Sequence, residues 1–134
     1  MAESDALRSR IMRAVRSKDT KPEIIVRKLS FSLGYRHRLH RKDLPGKPDL
    51  VYPSRKKVIF VHGCFWHGHD CKRGARVPKT HKEYWVKKIG GNIARDKKNQ
   101  MLLKETGWEY LIVWECEIKD SEILGERLKI FLNA

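Results

Sequence analysis

The run Trp108-Glu109-Tyr110-Leu111-Ile112-Val113-Trp114-Glu115 constrains this chain more than any other feature. Six of its eight residues are apolar, and the mix of β-branched and aromatic side chains over so short a length predicts a strongly buried strand. A buried strand needs partners and a cover. Partners come from two further apolar runs, residues 49–52 (DLVY) and 57–62 (KVIFVH), which the turn Pro53-Ser54-Arg55-Lys56 joins as a hairpin. Helices supply the cover. Thr20 and Glu23 form a T-x-x-E capping box with Pro22 in the first turn, so a helix runs over 21–33 and stops at Gly34. A second, long helix spans 81–105 with Trp85, Ile89 and Ile93 on one stripe; Gly90-Gly91 weakens its middle and Gly107 closes it. A terminal amphipathic helix over 120–132 turns Leu124, Leu128, Phe131 and Leu132 inward. Residues 35–41 read as a polar strand, and Leu7, Ile11, Met12 and Val15 have helical spacing among four arginines. The expectation is one α/β domain over residues 1–134, with a small mixed central sheet flanked by helices.

Charge says what such a domain meets. Thirty Lys and Arg against sixteen Asp and Glu give a formal charge of +14, a balance suited to a polyanion. Residues 1–104 hold 27 of those cations and only 9 of the acids. One basic face therefore tracks a phosphate backbone while the acidic C-terminal segment packs away from it; a merely solvated lysine-rich surface is the competing reading. No apolar run approaches the ~18 residues of a membrane span, and residues 1–16 lack a signal-peptide pattern. Three cysteines, an odd number, argue against a disulfide framework and for a reducing, cytoplasmic setting.

Residues 63–80 form a long aperiodic loop rich in Gly, Cys, His and Lys. Cys64, His69 and Cys71 lie within eight residues, and Cys116 follows the buried strand. Together they could supply the four soft ligands of a structural Zn²⁺ that clamps the loop to the strand end. The alternative is that Cys116 is a small core residue and Cys64 an incidental thiol.

Beside this cluster lies a second one. Pro48-Asp49 opens the hairpin as in many metal-dependent nucleases, and its carboxylate is a hard ligand for Mg²⁺; capping a turn is its competing role. The facing strand carries no carboxylate or lysine, but ends at His62, with His67 five residues on. A neutral imidazole can take a proton from water at neutral pH, and Asp96 on the long helix is a candidate to orient it, unless it only pairs with a helix lysine.

Four segments go further. Residues 45–71 (PGKPDLVYPSRKKVIFVHGCFWHGHDC), 10–23 (RIMRAVRSKDTKPE), 83–96 (EYWVKKIGGNIARD) and 107–116 (GWEYLIVWEC) closely resemble the Vsr very-short-patch-repair DNA mismatch endonucleases, in order and over nearly the whole chain. The resemblance implies a restriction-endonuclease-like fold and nicking of one DNA strand 5′ of the thymine in a T:G mismatch, the lesion left when 5-methylcytosine deaminates. It implies that Asp49 and the backbone carbonyl of Val61 bind Mg²⁺, with Glu23 reaching the ion through water. His67 would activate the attacking water, Asp96 would orient it, and His62 would lie beside the scissile phosphate. Cys64, His69, Cys71 and Cys116 match the family's zinc ligands. Phe65, Trp66 and Trp85 match aromatics that wedge into the duplex, and Met12, on an N-terminal DNA-contacting arm over residues 1–19, enters from the opposite groove. For Trp85, core packing at helical spacing with Ile89 competes. The chain departs from the family where it reads His67-Gly68-His69-Asp70 in place of consecutive histidines.

Expected partners are duplex DNA with a T:G mismatch and possible mismatch-repair proteins. A monomer fits a lone mismatch, which has no two-fold symmetry. A restriction-type or other structure-specific nuclease of the same fold, and a non-catalytic zinc-bearing DNA-binding module, are the alternatives.

Overall fold

A computed structural model describes residues 20–39, 41, 43–64, 67, 69, 71 and 80–133. The expected N-terminal arm with Met12, the wedge residues Phe65 and Trp66, and most of the loop over 63–80 lie outside the described residues.

Helix α1, Lys21–Ser32, starts where the capping box predicts: Thr20 is extended and its Oγ1 accepts a hydrogen bond from the Glu23 amide at 3.4 Å. Gly34, at φ +95°, takes the left-handed step after the helix. Strands β1 (Arg38–Leu39), β2 (Leu50–Tyr52) and β3 (Lys57–His62) follow, then helix α2 (Lys82–Glu105), strand β4 (Glu109–Trp114) and helix α3 (Ser121–Asn133). The sheet order is β1-β2-β3-β4. The first two pairings are antiparallel, and β3 and β4 run parallel with Lys57 opposite Glu109 and His62 opposite Trp114. The polar strand expected over 35–41 shrinks to two residues, because only Leu39 in that stretch offers an apolar side chain between Tyr35 and Arg41. Gly90-Gly91 does not interrupt α2. Glycine costs about 1 kcal/mol per position, and burial of Trp85, Ile89 and Leu103 anchors the helix on both sides of the pair.

Alternation along the strands divides the core in two. Leu50, Tyr52, Ile59 and Val113 face α1 and α3, where Val26, Leu124, Leu128 and Leu132 close the layer. Val51, Val58 and Phe60 face the other way and meet Leu44 and Leu103, with Trp108, Tyr110 and Ile112 packed against them. The result is the expected mixed α/β fold, a four-stranded sheet between helices. Among the described residues, no helix is long and apolar enough to cross a membrane.

Parallel pairing of β3 and β4 has one result that matters for function. Their carboxyl ends leave the sheet side by side, so the loop after His62 and the turn after Trp114 emerge together. Among the described residues, His62, His67, Asp96 and the Cys64, His69, Cys71 and Cys116 group gather at this edge.

Candidate functional site

Asp49 sits just before β2, after a turn in which Gly46 and Lys47 both have positive φ. Its amide donates to the Ile59 carbonyl at 3.1 Å, and its Oδ2 accepts from the Val61 amide at 2.6 Å. In extended backbone the N–H and C=O of one residue point the same way, so the Val61 carbonyl lies on the Asp49 side of β3. Burial pushes the Asp49 carboxyl up to about 7, against the opposing pull of the Val61 amide; the Glu23 carboxylate raises it further, while His67 and Arg27 lower it. These groups therefore share one electrostatic neighbourhood. Glu23 is 1% exposed, and its carboxylate pairs with Arg27 one turn along α1. A buried carboxyl with raised proton affinity beside a second carboxylate is a setting that a hard divalent cation relieves, and the donors fit Mg²⁺. Arg27 was not singled out from sequence, although its i, i+4 spacing from Glu23 is an ion-pair signal.

His67 meets Asp96 directly: Nδ1 lies 2.6 Å from Oδ2. Of the two partners considered for Asp96, the structure brings it to the imidazole. A carboxylate at Nδ1 calls for a proton on that nitrogen and leaves Nε2 as the basic atom. His62 stacks on His67 with ring centroids 3.7 Å apart and planes within 6°. Burial, helped by His67 and opposed by Asp96, pushes His62 down to about 4, so it stays neutral at physiological pH. Its Nδ1 is buried without a hydrogen-bond partner among the described residues.

The expected zinc ligands also converge. Donor atoms of Cys64, His69, Cys71 and Cys116 lie within 4.8 Å of one another. Cys116 Sγ is 3.6 Å from His69 Nδ1, which matches the roughly 3.6 Å edge of a tetrahedron with Zn–S near 2.3 Å and Zn–N near 2.05 Å. Burial pushes the Cys64 thiol up to about 12 and raises Cys116 as well, an arrangement that a divalent ion reverses by holding thiolates. The turn backbone is fixed independently: Cys64 N donates to Glu115 Oε1 at 3.1 Å, and His69 N to the Cys64 carbonyl at 2.9 Å. His67 lies between these anchors.

Trp85 is 4% exposed, set edge-on to Tyr84 in the first turn of α2. That is the packing its spacing with Ile89 allowed, and entering a duplex from there requires the ring to move. Along β1 runs a shallow groove lined by Arg36, His37, Arg38, Leu39, Arg41, Pro53 and Ser54, with no carboxylate among them. Continuing the register of Arg38 opposite Val51 and Leu39 opposite Leu50 brings its Arg41 end toward Asp49.

The profile of the family described as "DNA mismatch endonuclease Vsr" matches residues 3–73. The type II nicking enzyme V.XorIIP of Xanthomonas oryzae pv. oryzae is 53% identical over 123 residues, covering 92% of this chain and 90% of that protein. The type II nicking enzyme V.NmeAIP of Neisseria meningitidis is 46% identical, over 90% of this chain and 86% of its own length. The DNA mismatch endonuclease Vsr of Escherichia coli is 44% identical over 90% of this chain and 77% of its own. Over both family and relatives the match takes in the Asp49 hairpin, the histidines and the cysteine loop, and the chain belongs to the Vsr family of DNA mismatch endonucleases.

Proposed function

We propose that this protein is a Mg²⁺-dependent endonuclease that nicks one strand of duplex DNA 5′ of the thymine in a T:G mismatch. The supporting observation is the His67–Asp96 pair, held at 2.6 Å on the same strand edge as Asp49. His67 Nε2 takes a proton from the attacking water; Asp96 fixes the ring and stabilises the imidazolium that results. The neutral His62 ring supports His67 from one face and lies toward the scissile phosphate. Asp49 and the Val61 carbonyl would hold Mg²⁺, with Glu23 reaching it through water, and the ion would supply charge neutralisation at that phosphate. Cys64, His69, Cys71 and Cys116 would hold Zn²⁺, which would supply a structural clamp on the loop.

Selectivity falls to Phe65 and Trp66, which the loop carries, together with Met12 and, after a ring movement, Trp85. A wedge must recover the few kcal/mol lost by opening a base step. A wobble pair stacks poorly, so opening costs less there than in a matched duplex. Nicking of otherwise identical T:G and T:A duplexes is the deciding assay. The T:G duplex is cut and the matched one is not; equal cutting would favour a restriction-type enzyme, and binding without cutting a zinc-bearing DNA-binding module. The protein acts as a monomer in the cytoplasm, with mismatch-repair proteins as possible partners.

Two further outcomes follow from the charge and the proton on Asp49. The β1 groove is proposed to follow the phosphate backbone away from the cut. Arg36→Gln with Arg38→Gln then lowers the slope of log affinity against log salt by about 1.8, about 0.9 per phosphate lost, while saturated nicking is unchanged. Because the Asp49 carboxyl holds its proton up to about 7, a cation must displace that proton at lower pH. Apparent Mg²⁺ affinity, read by calorimetry on the free enzyme, therefore rises about tenfold per pH unit toward neutrality and flattens above it.

A further inference from the structure

Trp114 ends the buried strand and lies opposite His62 in the parallel register. It belongs to neither of the two cores and is half-buried. Its contacts lie elsewhere. One face of the indole stacks on His69, with centroids 4.2 Å apart and planes at 16°. Its plane stands steeply to the other two imidazoles, with centroids 5.2 Å from His62 at 74° and 6.4 Å from His67 at 68°. With the 3.7 Å between the two imidazoles, these separations close a nearly right-angled triangle with its corner at His62. Trp114 thus sits beside the His62 ring plane, not over its face, and blocks the stacked pair from sliding sideways.

The Trp114 backbone is anchored from behind. Trp114 N donates to Glu117 Oε1 at 2.8 Å, and the Glu117 carboxylate pairs with Arg127 of α3. One face is thus held by a ring of the metal cluster and the backbone by the helix layer.

We propose that Trp114 is a positioning residue for the His62–His67 pair, linking the zinc-held His69 ring to the catalytic imidazole. This rests on the reading of His67 as the base. A flat ring suits the role, since stacking on His69 and edge contact with His62 both need an aromatic face of fixed orientation. Loss of that support lets His67 drift, and a misplacement of about 1 Å in a reacting group costs about 10²-fold in rate.

Trp114→Leu and Trp114→Phe, each purified with its zinc, test this. Trp114→Leu keeps bulk without a ring face; Trp114→Phe keeps the face. Zinc content and affinity for a T:G duplex stay at wild-type values in both. The single-turnover nicking rate falls about 10²-fold in Trp114→Leu, and Trp114→Phe restores it to within about fivefold of wild type. Crystal structures of the variants show the His62–His67 stack displaced with leucine and kept with phenylalanine. A zinc-loaded Trp114→Leu that nicks at the wild-type rate with the stack intact overturns the proposal. So does loss of zinc in both variants, which makes the indole part of the metal site alone. Should the wild-type enzyme cut no duplex, the functional reading fails, and the ring positions in the variant crystals still decide the positioning role.

Discussion

His67→Ala lowers the T:G nicking rate by about 10²- to 10⁴-fold, the range that a positioned general base supplies, and leaves duplex affinity near the wild-type value. The ring contributes little binding area, and its Nδ1 is already committed to Asp96, so the loss appears in the chemical step. Asp96→Asn is the sharper companion. Asparagine keeps the shape of the carboxylate, but its amide can donate to Nδ1, which moves the ring proton to Nε2 and removes the basic atom. The rate is expected to fall nearly as far as in His67→Ala, and imidazole added in solution rescues only the alanine variant, where a cavity remains. Rates measured at saturating enzyme check both. Nicking by Asp96→Asn at the wild-type rate would mean that Asp96 serves the helix surface and not the base.

Emptying the proposed metal site of the cysteine cluster is expected to give the second large effect. The purified protein should carry one equivalent of zinc, and a strong chelator, or Cys116→Ala, should abolish nicking by more than about 10²-fold. Global unfolding is not expected. Of the four candidate ligands only Cys64 is fully buried, and none of the four belongs to either core cluster. Zinc-finger peptides, in which the metal contributes about 10–16 kcal/mol, lack such cores and unfold without it. Here circular dichroism should retain its helical signal while activity disappears. A coincident loss of both would assign the metal to the fold as a whole.

Much of this architecture is legible in the sequence because local chemistry and tertiary structure agree there. Thr20, Pro22 and Gly34 bracket α1 by capping and backbone rules that need no tertiary context. The hairpin turns where Pro53 and Lys56 allow it, with Lys56 at φ +52°. Where the sequence reading overreaches is β1, since a polar stretch pairs only as far as its neighbour holds it. The donors at the site are legible by type: a hard carboxylate, an imidazole, three thiols. What spacing along the chain does not encode is which of them touch. Trp114 escapes notice because an indole inside an apolar run reads as core; its contacts to His69 and His62 come from the register of two strands far apart in sequence. Arg27 is hidden for a related reason, since its tie to Glu23 is local but its influence on Asp49 is not.

The partners in the β3–β4 ladder are about fifty residues apart along the chain, and closing so long a loop is a slow, late event in folding. Until it closes, the cysteine after β4 cannot reach the loop after β3, and the imidazole has no fixed seat. The candidate site therefore depends on this long-range pairing as a whole, since neither strand brings the cysteines and histidines together by itself. For a nuclease, the topology thus ties the catalytic edge to the completed sheet.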